Sequence, residues 1–109
     1  MIISPQIISI LKPLKIPVCL MQYNGKSDKY IIFSTTNQKD SSFYDDEANS
    51  EIINVGLNFY YSKSEDMSLI GNIKDILKEN NFTIISSRDI GINDGVYNYA
   101  IYCRYENKF

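Results

Sequence analysis

The most constraining feature of this sequence is a run over residues 50–61 (SEIINVGLNFYY) in which apolar side chains alternate with small or polar ones. The apolar members are Ile53, Val55, Leu57, Phe59 and Tyr61, and those between them are Asn54, Gly56 and Asn58. Successive side chains of a β-strand point to opposite faces, so this run places one face on a core and the other toward solvent. It therefore predicts a half-buried strand of an antiparallel sheet.

A β-hairpin is predicted ahead of this run, over residues 17–36. Residues 18–23 and residues 29–36 (KYIIFSTT) have strand character, and Asn24-Gly25 lies between them. Asn and Gly both tolerate the positive φ angles of a tight hairpin turn. Residues 37–49 then form a predicted loop, because they are polar and show no periodicity.

Two helices are predicted, a short one near the N-terminus and a longer one over residues 64–80. The candidate caps are Ser4, followed by Pro5, for the first helix, and Ser62 (with Glu65) or Ser64 for the second. The longer helix carries an apolar stripe made of Met67, Leu69, Ile70, Ile73, Ile76 and Leu77. We expect this stripe to be the face that packs on the sheet.

The last third of the sequence predicts two more strands. Residues 82–88 form the first, and residues 89–95 (DIGINDG) are rich in turn formers, with Asn93, Asp94 and Gly95 as the pivot. Residues 96–105 (VYNYAIYCRY) alternate again and predict the final strand. This order predicts an α+β fold: a mostly antiparallel sheet of four to five strands, with two helices packed on one face.

Length and composition fit one globular domain over residues 1–109. Apolar residues make up 44% of the chain and charged residues 22%, close to globular averages. The sequence has neither an apolar run long enough to span a membrane nor the basic start of a secretory signal. We therefore expect a soluble, untargeted domain with no membrane partner.

The residue types that are absent argue against an enzyme. The chain has no His, which removes imidazole bases, Ser-His and Cys-His nucleophiles and His metal ligands. Its glycines do not form a phosphate-binding motif, so no cofactor is expected. Cys19 and Cys103 both fall in apolar runs and are interpreted as core residues; a disulfide would need their strands to be neighbours.

Charge argues against nucleic-acid binding. The net charge is −2, and the 11 basic residues are scattered along the chain. Tight binding to a phosphate backbone needs clustered basic residues. We therefore expect no sequence-specific recognition of DNA or RNA.

The candidate site is the loop over residues 37–49, which is long for so small a domain. It carries an aromatic pair and an acidic cluster, and the site residues are Phe43, Tyr44, Asp45, Asp46 and Glu47. An aromatic pair on a polar loop indicates a docking point. The acidic cluster is compatible with a solvated loop, an inter-subunit contact or a Mg²⁺ or Ca²⁺ site.

Tyrosines outside this loop leave a second question open. The chain has nine tyrosines, and Tyr60, Tyr61, Tyr102 and Tyr105 lie in predicted strands. Aromatic side chains are favoured in strands and also enriched at protein interfaces. These four could therefore pack in the sheet or contact a partner.

The order of segments resembles a known family. A Pro-preceded strand leads to the Tyr23-Asn24-Gly25 turn and to KYIIFSTT. The FYDDE loop, EIINVGLNFYYSK, a helix ending in ILKENNF and a tyrosine-rich last strand follow. This series, over residues 17–105, resembles the tail-terminator (tail-completion) proteins of long-tailed bacteriophages and prophages, the family that includes the lambda type. FYYSK stands here in place of a shorter strand end.

The resemblance implies a small α+β subunit that assembles as a ring, commonly a hexamer. Such a ring caps the tail tube, ends its polymerisation and forms the surface that joins the head. The implied partners are other copies of the chain, the tail tube protein and a head-completion or connector protein. The implied location is the virion tail, assembled in the host bacterial cytoplasm. The family has no catalytic residues to carry over, and Phe43 and Tyr44 would contact the neighbouring subunit or the tube.

Two other classes of protein fit the sequence. One is another head-tail connector or head-completion ring protein with a similar α+β core. The other is a small monomeric binding module that uses the tyrosine-rich last strand as its ligand surface. Binding to the tail tube subunit separates the first from a tail terminator, and a stable monomer at high concentration favours the second.

Overall fold

A computed structural model describes residues 4–39 and 50–108 of the chain. These residues form one sheet of five strands and two α-helices. The strands are β1 (Val18–Leu20), β2 (Lys29–Lys39), β3 (Ser50–Tyr61), β4 (Phe82–Asn93) and β5 (Val96–Lys108). The helices are α1 (Ser4–Leu11) and α2 (Leu69–Glu79), with 3₁₀ turns at Lys12–Leu14 and Ser64–Ser68. No helix in these two ranges is long and apolar enough to cross a membrane.

The sheet has the strand order β1-β2-β3-β5-β4. All neighbouring pairs are antiparallel except β1 and β2, which are parallel. β3 lies at the centre and pairs along its length with β2 on one side and β5 on the other. The predicted α+β fold with a mostly antiparallel sheet is therefore confirmed.

The predicted hairpin over residues 17–36 is wrong, because β1 and β2 run in the same direction. Val18 lies opposite Ile31, and the Met21 amide donates to the Phe33 carbonyl at 2.9 Å. Met21 has a φ of 71°, which turns the chain out of β1 after three residues. So short a strand needs only a short return, and residues 21–28 carry the chain back to the start of β2.

The Asn24-Gly25 turn belongs to this return loop and does not join paired strands. The Tyr23 hydroxyl folds over the loop and accepts a hydrogen bond from the Ser27 amide at 2.9 Å. A Cβ at Gly25 would overlap the Tyr23 ring, so glycine is required here by close approach. The turn signal was correct, but sequence spacing does not reveal which way the next strand runs.

Strand ends differ from the prediction in β2, β4 and β5, and β5 continues to Lys108 instead of ending at residue 105. β2 continues through residues 37–39, which were assigned to the loop. β4 continues to Asn93, with irregular register between Ile84 and Ser86 and between Asp89 and Gly91. The turn between β4 and β5 consists of Asp94 and Gly95, whose φ angles are 52° and 79°. Two positive φ angles are typical of a type I′ hairpin, and they confirm the predicted pivot.

The start of the second helix also differs. Residues 64–68 form a 3₁₀ turn, and the α-helix begins at Leu69. The predicted capping box is wrong, because the residue at the helix entry, Lys63, makes no side-chain cap bond. Met67 is 49% exposed and leaves the predicted stripe, whereas Ile73 and Leu77 are fully buried.

The core lies between the two helices and one face of the sheet. The buried set is Ile7, Leu11, Ile16, Ile31, Phe33, Ile53, Val55, Leu57, Phe59, Tyr61, Ile73, Leu77, Phe82, Ile101 and Cys103. Cys103 is a core residue as predicted, but Cys19 is only half-buried. Both thiols are free, because β1 and β5 are not neighbours in the sheet.

Replacing Leu77 with Ala is expected to lower the free energy of unfolding by about 2–5 kcal/mol, because it opens a cavity between α2 and the sheet. Met67→Ala serves as the control, since half-exposed Met67 loses little packing and should change stability by about 0.5 kcal/mol. Urea denaturation followed by circular dichroism measures both variants. Equal losses in the two would contradict the position of the core.

Candidate functional site

One face of the sheet is not covered by a helix in the described part of the chain. Both helices pack on the side that carries the buried residues, so the alternate positions of each strand face outward. We call this surface the open face. The cross-strand register places on it Tyr30, Ile32, Ser34, Thr36, Ile52, Asn54, Gly56, Asn58, Tyr60, Thr83, Ser86, Arg88, Gly91, Asn98, Ala100, Tyr102, Arg104 and Glu106.

The open face is ordered in rows that run across the strands, because paired residues lie side by side. The first row is Ser34, Gly56, Tyr102 and Ser86. The second row is Ile32, Asn58, Ala100 and Arg88. The third row is Tyr30, Tyr60, Asn98 and Gly91. Small side chains occupy three of the four positions in the first row, Ala100 adds one in the second, and aromatic rings begin the third.

Three tyrosines form a continuous stack beside these small residues. The ring centroids of Tyr23 and Tyr30 are 4.5 Å apart, and those of Tyr30 and Tyr60 are 5.1 Å apart. Their interplanar angles are 27° and 22°. The stack crosses from the return loop to β3 and makes a wall along one side of the first two rows.

The small residues leave a groove on the open face. A cavity of about 450 Å³ is lined by Gly56, Asn58, Arg88, Ala100 and Tyr102, among others. A Cβ placed on Gly56 would meet only the Ser34 hydroxyl, at 3.6 Å. A second cavity shares Gly56 and Asn58 with this one and is lined in part by Tyr60, which also lines a third cavity farther along the face. The floor of the groove is therefore open to an incoming side chain.

Few ionised side chains lie on the open face. Among the positions whose side chains are described, they are Arg88, Arg104 and Glu106. Protein interfaces are enriched in Tyr and Arg and depleted of Lys, Asp and Glu. The Asn98 Oδ1 atom is shielded from solvent and has no hydrogen-bond partner among the described residues.

The sequence did not decide whether four of the tyrosines pack in the sheet or contact a partner. In the structure these four divide between the two sides of the sheet. Tyr61 is buried in the core and stacks on Phe59 and Tyr97 at centroid distances of 4.9 and 5.0 Å. Tyr105 is half-buried on the same side. Tyr60 and Tyr102 lie on the open face, where Tyr102 is 42% exposed.

A series of hydrogen bonds between polar side chains links α2 to β4 and β5 on the helix side of the sheet. Lys74 Nζ donates to the Tyr99 hydroxyl at 3.0 Å, and this hydroxyl donates to Ser87 Oγ at 3.2 Å. The hydrogen bonds with Lys74 and Ser87 lower the pKa of Tyr99 below its ordinary value, against the effect of burial. Burial, with a smaller contribution from Asp89, raises the pKa of Tyr61.

The buried Cys103 thiol is not activated as a nucleophile. Burial raises the pKa of the Cys103 thiol to about 12, so it stays protonated and unreactive near neutral pH. Within residues 4–39 and 50–108, no group of three His, Cys, Asp or Glu residues is placed to bind a metal ion.

The site residues predicted from the sequence, Phe43, Tyr44, Asp45, Asp46 and Glu47, lie outside the described residues. Their docking role stays a prediction. The open face was missed as a site, although its parts were visible as the polar and small positions of each alternating strand. What the sequence lacks is the register that aligns Gly56 with Ser34 and Tyr102.

Comparison of the chain with models of known families and with curated proteins finds no match. Its function must therefore be argued from its own residues and from the order of its segments.

Replacing Lys74 with Met is expected to raise the pKa of Tyr99, because the variant loses both the donor and the positive charge beside the hydroxyl. Ultraviolet absorbance during alkaline titration measures tyrosinate formation. The wild-type protein should show one early tyrosine, which Tyr99→Phe removes and Lys74→Met moves to higher pH. Exposed Lys78, on the same helix, provides the control variant Lys78→Met, which should leave the early tyrosine in place.

Because the pKa of Tyr99 is lowered in the folded protein, ionisation of Tyr99 stabilises the folded state at high pH. The contribution of Tyr99 ionisation is complete above the pKa of an unfolded tyrosine, about 10, and is lost as pH falls through the lower folded value. Wild type should therefore gain stability relative to Lys74→Met as pH rises through this window. An identical pH dependence for the two proteins would contradict the assignment.

Proposed function

We propose that this chain is a structural protein of a phage or prophage virion that caps the tail tube as a ring, ends tube polymerisation and forms the surface that joins the head. Its resemblance to the tail-terminator family over residues 17–105 is the reason for proposing a phage or prophage tail. The observation that carries the assembly role is the open face, a wide sheet surface with interface-type side chains and no helix over it in the described part of the chain.

Two free sheet edges support assembly from different surfaces. β1 pairs with β2 only from Ile31 to Phe33, and no described strand pairs with the outer side of β2 beyond that point. β4 is the opposite edge, and it carries three exposed isoleucines: Ile85, Ile90 and Ile92. Unpaired edges readily add strands from other chains. Contacts between two different surfaces of identical subunits generate rings when the rotation closes.

The two irregularities in β4 give this edge selectivity. The register shifts between Ile84 and Ser86 and between Asp89 and Gly91. Bulges of this kind twist an edge and disfavour indiscriminate pairing with other strands. An edge with exposed apolar side chains and a broken ladder is suited to a shaped partner surface more than to open-ended aggregation.

The charge of the chain is compatible with a ring through which DNA passes. A lumen that transmits DNA should not hold it, and a subunit with a net charge of −2 gives a field that does not attract phosphates. Strong binding of duplex DNA at physiological salt would count against this role.

Native mass and tail-tube binding test the proposal together. Light scattering over a concentration series, with and without divalent cation, is expected to detect a closed species of about six subunits, the size common in the family, and electron microscopy should show rings. The purified chain should also bind the tail tube subunit encoded with it. A chain that stays monomeric and does not bind the tube would overturn the proposal.

A second candidate, the small monomeric binding module, is favoured by the same open face if no ring forms. In that case the chain should stay monomeric at high concentration and still bind a ligand through this face. A third outcome, a ring that binds a connector protein and not the tube, would assign the chain to the other head-tail connector proteins.

Deleting residues 40–48 is expected to weaken ring assembly or tube binding, because this segment carries the aromatic pair Phe43 and Tyr44. The double variant Phe43→Ala/Tyr44→Ala is the sharper test, since it keeps the length of the segment. Ser41→Ala/Ser42→Ala in the same segment is the matched control. Assembly and binding unchanged in the deletion variant would remove this segment from the interface.

A further inference from the structure

We propose that the groove on the open face, floored by Gly56 and Ala100, binds an extended acidic segment of a protein partner. The inference deepens the proposed function and rests on it for one point, that the partner is another virion protein. It is carried by the shape of the groove and by the charges beside it.

The shape of the groove fits an inserted side chain. Ser34, Gly56 and Ser86 place small side chains across three strands of the first row, and Ala100 continues the floor in the second. The Cβ position of Gly56 has no neighbour closer than 3.6 Å, so space is present without any rearrangement. Glycine inside a central strand weakens that strand, and such positions often mark the close approach of another chain.

The walls of the groove fit a partner that is partly aromatic or apolar. Half-exposed Tyr102 lines the groove, and Tyr60, at the end of the stack with Tyr30 and Tyr23, lines the cavity that adjoins it. Tyrosine supplies a large contact area with few rotatable bonds, which is why it is common among the residues that dominate binding energy. A segment lying in the groove would contact these rings with its apolar side chains.

The two arginines of the open face, Arg88 and Arg104, outnumber its one described carboxylate, Glu106, and favour an acidic partner. Arg88 lines the groove itself, and Arg104 lies one row beyond Tyr102 on the same face. Both arginines are exposed. Neither forms a salt bridge with an acidic side chain in the contacts of the described chain, and Arg104 Nε meets the amide oxygen of Asn54 at 3.5 Å. Carboxylates of a partner can form charge-assisted hydrogen bonds with both guanidinium groups.

Nucleic acid is the less favoured occupant. Aromatic rings and arginines on a sheet can also hold single-stranded nucleic acid by stacking. That mode needs a positively charged groove along the backbone, whereas this face carries two described arginines on a chain of net charge −2. Single-stranded DNA is therefore the competing probe in the test.

The test measures binding of a short synthetic peptide that alternates Glu with Tyr and Val, by isothermal calorimetry at physiological salt. Replacing every Glu of the peptide with Lys should weaken binding by at least about tenfold, and single-stranded DNA should bind more weakly than the acidic peptide. In the protein, Gly56→Val fills the groove and Arg88→Glu reverses its charge. Each should weaken binding by at least about tenfold.

Two controls separate loss of binding from loss of folding. Gly71→Ala adds a methyl group to open space on α2, away from the open face, and should leave the affinity unchanged within about twofold. Circular dichroism and thermal unfolding check that Gly56→Val is folded, as expected because Val is favoured in strands. If Gly56→Val does not fold, exposed Arg88→Glu decides the test alone.

Several outcomes overturn the inference: no binding of the acidic peptide, equal binding of the Lys peptide, unchanged affinity of the folded groove variants, or tighter binding of single-stranded DNA. The result is independent of ring formation. A chain that binds the acidic peptide through the groove but neither forms a ring nor binds the tube keeps this inference and removes the proposed function. A ring that binds the tube but not the peptide does the reverse.

Discussion

The packing of one side of β3 against the helices is the interaction on which the rest of the structure depends. β3 pairs with β2 and β5 on its two edges, and its inward residues, from Ile53 to Tyr61, are almost fully buried. A shift of one residue in either register would move every apolar side chain to the wrong face, so burial of this side fixes the alignment of three strands at once. The helices then need only to cover the same side, which α1 does with Ile7 and Leu11 and α2 with Ile73 and Leu77.

The open face is a consequence of the same constraint. The core fixes the register of β2, β3, β5 and β4. The same register then aligns the outward residues of these strands in rows, whatever contacts those residues make. This face carries tyrosines, amides, small residues, two threonines, two arginines and one described carboxylate, Glu106. Its tyrosines and arginines are residue types that are enriched at protein interfaces. The fold thus aligns side chains whose individual positions give no indication of a site.

The sequence predicted the features that depend on local periodicity and missed those that depend on register or direction. The alternation in β3 and β5, the burial of Ile73 and Leu77 and the type I′ turn at Asp94-Gly95 follow from patterns within a few residues. The parallel pairing of β1 was missed, because Asn24-Gly25 is an equally good turn in a return loop and in a hairpin. The groove was missed because Gly56, Ser34 and Tyr102 become neighbours only through pairing between distant segments.

Two kinds of surface on one subunit can contribute differently to assembly. A free strand edge, such as the outer side of β2 or β4, offers main-chain hydrogen bonds that are nearly indifferent to the partner's side chains. A sheet face with a shaped groove discriminates by volume and charge, through Gly56 and Arg88 here. A structural subunit that must join identical copies and also accept a different protein has use for both. The edges can hold copies together by geometry, and the groove can disfavour partners that lack the proposed acidic segment, because any other segment would cover Arg88 without pairing its charge.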